Sequence, residues 1–419
     1  MRFVPVVLAC LAAAPLAAQS CGGDFVPFVE ALKTEAIQRG FDPALTDRFF
    51  SGIRQDPAVI AADRAQGVFQ RDFIDFSRRL ISQGRIDNAR ANADRYDSTF
   101  DQIEAQYGVP RGVLLAFWAF ETDFGQVQGD FNTANALVTL AHDCRRPDLF
   151  RPQVFAALQL YADGDFDPAQ TTGAWAGEIG QVQMLPADII ENGVDGDGDG
   201  HVTLKTSAQD ALMSGGKMLA SLGWRVGEPW LQEITVPEGL DWAQTGLDKT
   251  RSTEEWTQLG VQGREANLWP GLQASVLLPM GRNGPAFVAY PNFRVYFEWN
   301  QSLVYVTTAA YFGTRIMGAS VYDGGNPDAG LTGEQIQLLQ QRLTAMGYDV
   351  GNADGILGSK TRAVCRLNRS GWDYLRMLGR PKSCSTSFKC GQDVPGHQCR
   401  VLLMRQMPQS GQLDHLRQR

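Results

Sequence analysis

Glu121 is the residue of this 419-residue chain whose setting most suggests acid–base chemistry. Gly108-Val109-Pro110 predicts a helix start, with Pro110 in the first turn, where a missing N–H breaks no bond. Leu114, Phe117, Trp118 and Glu121 then recur at i, i+3, i+4 and i+7 and share one helix face. A carboxyl among such neighbours ionises reluctantly, so its pKa rises. An acid that keeps its proton near neutral pH can protonate a leaving oxygen. Gly125 is expected to end the helix and let another backbone segment approach. On spacing alone, a helix-end Glu whose head reaches water accounts for the same pattern.

A second constellation is Asp195-Gly196-Asp197-Gly198-Asp199-Gly200-His201. Aspartates at alternate positions with Gly200 at the sixth suit a loop of EF-hand type, in which His201 offers its backbone carbonyl. The twelfth position holds Thr206 in place of Glu, and a further carboxylate, Asp210, lies a little later. All these ligands are hard oxygens, so Ca²⁺ is favoured over a transition metal, in a structural role, with a solvated acidic turn as the alternative. No cofactor is required by any other motif.

The elements that must position these groups are mostly helical. Phe25, Phe28, Val29 and Leu32, then Leu45, Phe49 and Phe50, repeat at helical spacing, and residues 24 to about 107 read as helices. Residues 109–224 are again mainly helical with Gly- and Asp-rich loops, and a β-branched, aromatic patch at 272–298 predicts short strands. Asp323 to Gly330 is a turn-forming linker between domains. The formal net charge of −8, without a long basic run, argues against nucleic acid as a partner.

Arg2, the apolar stretch Phe3–Ala18 and the small residues at Ala18-Gln19-Ser20 read as a cleaved signal peptide over 1–20. The residues before Cys21 lack the aliphatic side chain of a lipobox, so lipoprotein anchoring is disfavoured. No later segment is apolar enough to span a bilayer, and a periplasmic location follows. In an oxidising space Cys21 and Cys144 are natural partners, because Cys10 leaves with the signal and the other four cysteines crowd the C-terminus.

Ala119-Phe120-Glu121-Thr122-Asp123-Phe124-Gly125 resembles the E-T-x-x-G signature of the lytic murein transglycosylases typified by membrane-bound lytic transglycosylase B. Three further segments match that family in order. Gly173-Ala174-Trp175-Ala176-Gly177-Glu178-Ile179-Gly180-Gln181-Val182-Gln183-Met184-Leu185-Pro186 resembles its G-S-x-A-G-A-x-G-x-x-Q-F-M-P loop. The Asp-rich loop resembles its metal-binding loop, with Asp210 aligned to that loop's closing carboxylate if one inserted residue is allowed, and Trp299-Asn300-Gln301-Ser302-Leu303-Val304-Tyr305 resembles its Y-N-x-S-x-x-Y motif. The resemblance covers roughly 24–320 and implies a mainly α protein with a lysozyme-like helical catalytic domain and small β elements, spanning 21–322. Carried over position by position, Glu121 is the sole catalytic acid and Gln183 lines the saccharide site, with Trp299, Asn300 and Tyr305 as substrate-cleft residues close to Glu121. Ala174 replaces a Ser thought to orient the reacting sugar, and Trp299 replaces a Tyr, keeping the aromatic face and losing the hydroxyl.

The family's reaction needs no second carboxylate. Ordinary glycosidases use two, whereas here the muramic acid's own O6 attacks C1 to leave a 1,6-anhydro end on peptidoglycan. A hydrolytic muramidase on the same scaffold, or a wall-binding protein without catalysis, is the alternative.

Leu331 to Val364 resembles a type 1 peptidoglycan-binding domain: Met346-Gly347-Tyr348, Asp354-Gly355-Ile356-Leu357-Gly358 and Thr361-Arg362-Ala363-Val364 follow its pattern. A small three-helix module over 331–390, tethering a monomeric enzyme to its glycan strands, is implied. Past Val364 the pattern collapses into an atypical tail over 364–419. Another reading frame from Gly371 to Phe388 can encode an ending that looks like the missing one, so a frameshift near 363–370 is expected, with Cys365, Cys384, Cys390 and Cys399 accidental and not two disulfides.

Overall fold

The computed structural model describes residues 21–65 and 72–367. The signal segment and the tail beyond 367, with three of its four cysteines, lie outside the described residues.

Among the described residues six helices come first: Phe25–Gln38, Pro43–Phe50, Pro57–Arg64, Phe73–Leu80, Gln83–Arg95 and Asp97–Tyr107. Asp42, Asp56, Asp72 and Ser82 each accept a backbone N–H in the first turn of the helix that follows, which explains where four of them begin. The helix carrying Glu121 runs Arg111–Thr122, with Pro110 as its extended cap rather than its first turn. It is not amphipathic. Every residue from Gly112 to Ala119 is buried, so the stripe expected on one face is a rod enclosed on all sides. The helix also stops earlier than Gly125, because Asp123 and Phe124 turn left-handed at φ 51° and 60°.

Against this rod lies the Leu303–Ile316 helix. The two meet at Gly112 and Gly313, where an added Cβ on Gly112 would stand 2.8 Å from the Gly313 carbonyl oxygen. Around the pair gathers one apolar core with Phe100, Phe117, Tyr296 and Phe312; a second core packs the N-terminal helices against Thr133–His142 and Pro147–Asp163.

Strands β1 (Phe131–Asn132) and β2 (Thr172–Gly173) form a short antiparallel pair. Five more, β3 (Leu231–Thr235), β4 (Arg251–Ser252), β5 (Gln262–Gly263), β6 (Gln273–Leu277) and β7 (Phe287–Ala289), make an antiparallel sheet in the order β4-β6-β7-β3-β5 over a core of Trp256, Val276, Val288 and Tyr290. The patch at 272–298 therefore supplies only β6 and β7. Its last part folds as the Pro291–Trp299 helix, with Pro291 in the first turn, and the remaining strands come from outside it.

Cys21 and Cys144 are joined as a disulfide, as expected. Among the described residues no helix is long and apolar enough to cross a membrane. In the C-terminal module, helices Gly333–Ala345 and Ser359–Leu367 flank a loop organised by Gln340, whose amide reaches Asp354, Ile356 and Gly355. Asp354 shapes a turn there by accepting the Ile356 N–H.

Candidate active site

Glu121 sits one residue before the end of the central helix, partly exposed at its tip and otherwise enclosed. Two aromatic residues from distant parts of the chain hold it. Trp299, at the end of its helix, donates its indole N–H to Oε1 at 3.1 Å, and Tyr305, in the first turn of the next helix, donates its hydroxyl to the same oxygen. Both bonds end on Oε1, so Oε2 has no protein donor among the described residues. Trp299 is itself positioned by stacking on Phe117, with centroids 4.4 Å apart.

Burial pushes the Glu121 carboxyl up to about 7, against the two donors, which favour the ionised form; nearby Glu178 raises it further. Burial and the Glu121 charge together push the Tyr305 hydroxyl well above its ordinary range, so it stays a donor. Asp123 is turned away, with its carboxylate on Arg85 Nε at 3.0 Å.

A loop from Gly173 to Pro186 closes over the helix end. Thr122 donates its hydroxyl to the Gln181 carbonyl at 2.6 Å and accepts the Gly125 N–H, while Trp118 donates to the Gln181 side chain at 3.1 Å. Gly125 is required here: at φ 84° an added Cβ would stand 2.5 Å from Gln181 Oε1. The approaching group is thus a side chain and not the backbone expected. Gln183 adopts φ 54°, strained for a non-glycine residue, and its amide donates to the carbonyls of Gly180 and Gln128. Its carbonyl oxygen remains available to a ligand. Asn300 caps the next helix entry by accepting the Ser302 N–H at 2.9 Å, which leaves its own amide protons free to donate.

Trp299, Tyr305 and Glu121 thus form one contact set, while Gln183 and Asn300 lie on the flanking segments without a bond to it. Trp299 lacks a tyrosine's hydroxyl, but its indole N–H reaches the acid directly. Sequence reasoning missed Glu178, although the signal was an acid where the loop motif carries Ala.

The Asp-rich loop lies apart. Asp195, Asp197 and Asp210 bring carboxylate oxygens within 4.8 Å of one another, an all-oxygen set that fits a hard cation. Asp210 is fully buried and accepts the N–H groups of Gly196 and Thr203 and the Ser207 hydroxyl, closing the loop in place of a twelfth-position Glu. Asp199 is outside this cluster, its side chain accepting the His201 N–H, and the His201 ring pairs with Asp165 at 2.8 Å.

Residues 24–314 match the Transglycosylase SLT domain family and residues 332–366 a peptidoglycan binding domain family. Among curated proteins, membrane-bound lytic murein transglycosylase B of Escherichia coli K12 is 25% identical over 249 residues, which is 59% of this chain and 68% of that protein. The crystal structure of SltB3 from Pseudomonas aeruginosa, solved in complex with NAG-NAM-pentapeptide, is 32% identical with a TM-score of 0.77, covering 85% of this chain and all of that one. Soluble lytic transglycosylase SltB1 of the same organism is 25% identical with a TM-score of 0.62, over 70% of this chain and 99% of that one. With a family match across most of the chain and the same architecture throughout its catalytic part, this protein belongs to the transglycosylase SLT family and is a peptidoglycan lytic transglycosylase.

Proposed function

We propose that Glu121 is the single acid/base of a reaction that cleaves the MurNAc–GlcNAc β-1,4 bond and leaves a 1,6-anhydromuramic acid end. The observation that carries this is the anchoring of Oε1 by Trp299 and Tyr305 on a carboxyl whose pKa is about 7. Near neutral pH the neutral acid is well populated, its Oε1 accepts both donors, and the proton resides on Oε2. Oε2 protonates the glycosidic oxygen as the bond to C1 breaks. The resulting carboxylate, stabilised by the same two donors, then takes the proton of the muramic O6 as that oxygen bonds to C1. The proton count closes and no water is consumed. Gln183 and Asn300 are the groups that would hold the sugars, one by its free carbonyl, the other by its free amide protons.

The reading places the enzyme in the periplasm, exported by the segment 1–20, where its C-terminal module would keep it on its polymer. It also assigns a structural Ca²⁺ to Asp195, Asp197 and Asp210, remote from the reaction. Digestion of purified sacculi by wild type and Glu121→Gln, with mass spectrometry of the products, tests the chemistry. Wild-type digests should contain 1,6-anhydro ends and the variant should release none. Reducing ends in their place would make the enzyme a hydrolytic muramidase.

A further inference from the structure

Lys205 is a cation that the reaction leaves without a task. Its side chain lies along β2, where the ammonium donates to both the carbonyl and the hydroxyl of Thr172, each at 2.6 Å. Both acceptors are uncharged, and no ion pair reaches Lys205 among the described residues. The group is partly buried, which holds it below the usual lysine range, and no carboxylate offsets that cost. Two acceptors occupy two of its three N–H donors, so one stays open.

Bonds from several directions place Lys205 in the wall of the cleft. Its carbonyl accepts the Gln128 side-chain amide at 3.0 Å, and the Gln128 carbonyl accepts the amide of Gln183, the residue assigned to the sugars. The Gln181 amide comes to the same Lys205 carbonyl at 3.5 Å, while its Oε1 accepts the indole N–H of Trp118, three residues before Glu121. Gly129, next to Gln128, is pressed on the end of β2: at φ 87° an added Cβ would stand 2.7 Å from the Ala174 nitrogen. Thr172 and Ala174 flank Gly173 of that strand, so their side chains leave it on the same face, roughly 7 Å apart. The Thr172 hydroxyl that holds Lys205 thus projects from the face on which the family's sugar-orienting serine would stand.

The glycan strand is uncharged along its length, and the acids of peptidoglycan lie on the peptides that its muramic residues carry. An unpaired cation beside the glycan therefore meets an anion through that peptide. We propose that Lys205 is a specificity-determining residue that binds a carboxylate of the substrate's peptide stem, so that the enzyme prefers glycan bearing peptides to bare glycan. The proposal rests on the assignment of this cleft to the glycan-cutting reaction. The ammonium is held in place by Thr172 and already partly dehydrated, so pairing orders less than it would at a free surface lysine. The carboxylate takes the open N–H, and Thr172 keeps the other two.

Cleavage kinetics of the full chain on soluble glycan strands, either carrying their peptides or stripped of them by an amidase, test this. Wild type, Lys205→Met and Lys205→Arg are compared, each checked by its melting temperature; the C-terminal module is common to all three. Lys205→Met should lose on the order of tenfold in kcat/KM on peptide-bearing strands, through KM, and several-fold less on stripped ones. Lys205→Arg should recover most of that loss, and added salt should narrow the wild-type preference. Equal losses on the two substrates would make Lys205 a structural tie between β2 and the Asp-rich segment and overturn the proposal, as would an unchanged KM in a folded variant. Where Lys205→Met fails to fold, Lys205→Gln carries the same comparison. Cleavage is counted whichever end it leaves, so reducing ends would overturn the anhydro reading and leave the substrate preference standing.

Discussion

The indole N–H of Trp299 meets the carboxylate of Glu121 at 3.1 Å, although the two residues lie 178 positions apart in the chain. The bond joins the end of one helix to the end of another, and the ring that makes it is stacked on Phe117, four residues before Glu121 on the same helix. The aromatic that lies where the family has Tyr is thus part of the acid's immediate environment.

Trp299→Phe separates the ring from the donor, since Phe keeps the stacking on Phe117 and removes the N–H. A donor to the carboxylate favours its ionised form, so losing one raises the Glu121 pKa above about 7. The basic limb of the pH–rate profile should move upward while kcat falls on the order of tenfold, from a less ordered acid. A profile unchanged in position would show that the bond is absent in solution.

Glu121→Gln should make the protein more stable as well as inactive, and only at the right pH. A Glu whose carboxyl rises from 4.5 to about 7 on folding costs nothing below about 4.5, where both states are protonated. The cost grows as pH rises to about 7 and is complete above it, on the order of 3 kcal/mol. Thermal melts of both proteins should coincide in acid and diverge in favour of the variant at alkaline pH.

Reduction of the Cys21–Cys144 bond, which spans 123 residues, frees the segment at Cys21 from the chain that follows the Thr133–His142 helix. Stability should fall by roughly 3–5 kcal/mol, read as a lower melting temperature with reductant or in Cys144→Ser. The effect should be absent when reductant is added to the variant.

Ca²⁺ should raise the melting temperature of wild type in a concentration-dependent way, and a chelator should reverse it. Asp197→Asn, which alters the exposed member of the cluster, should abolish the increment and leave the melt without Ca²⁺ nearly unchanged. Asp210→Asn should lower stability even without metal, because its oxygens accept buried N–H groups.

Legibility followed the range of the interactions. The helical character of the first hundred residues, the buried setting of Glu121 and the loop from Gly173 to Pro186 were readable because helix periodicity, caps and ordered motifs are local. The sheet was only half visible: β4 and β5 are two residues each and pair with β6 and β3 through sequence distances that no alternation pattern spans. The expected amphipathic face around Glu121 proved wrong in kind, since a helix enclosed on every side shows the same i, i+3, i+4, i+7 residues as a surface one, and only its neighbours distinguish the two.

By itself the sequence determined which residue types stand where: one glutamate in an apolar setting, glycines where turns need them, and a cysteine pair for an oxidising space. The tertiary structure decided what that glutamate is. Its raised proton affinity comes from exclusion of water by Phe117, Trp299 and Tyr305, and from the field of Glu178. Those are effects of distance in space, and they fall off over a few ångströms regardless of position along the chain.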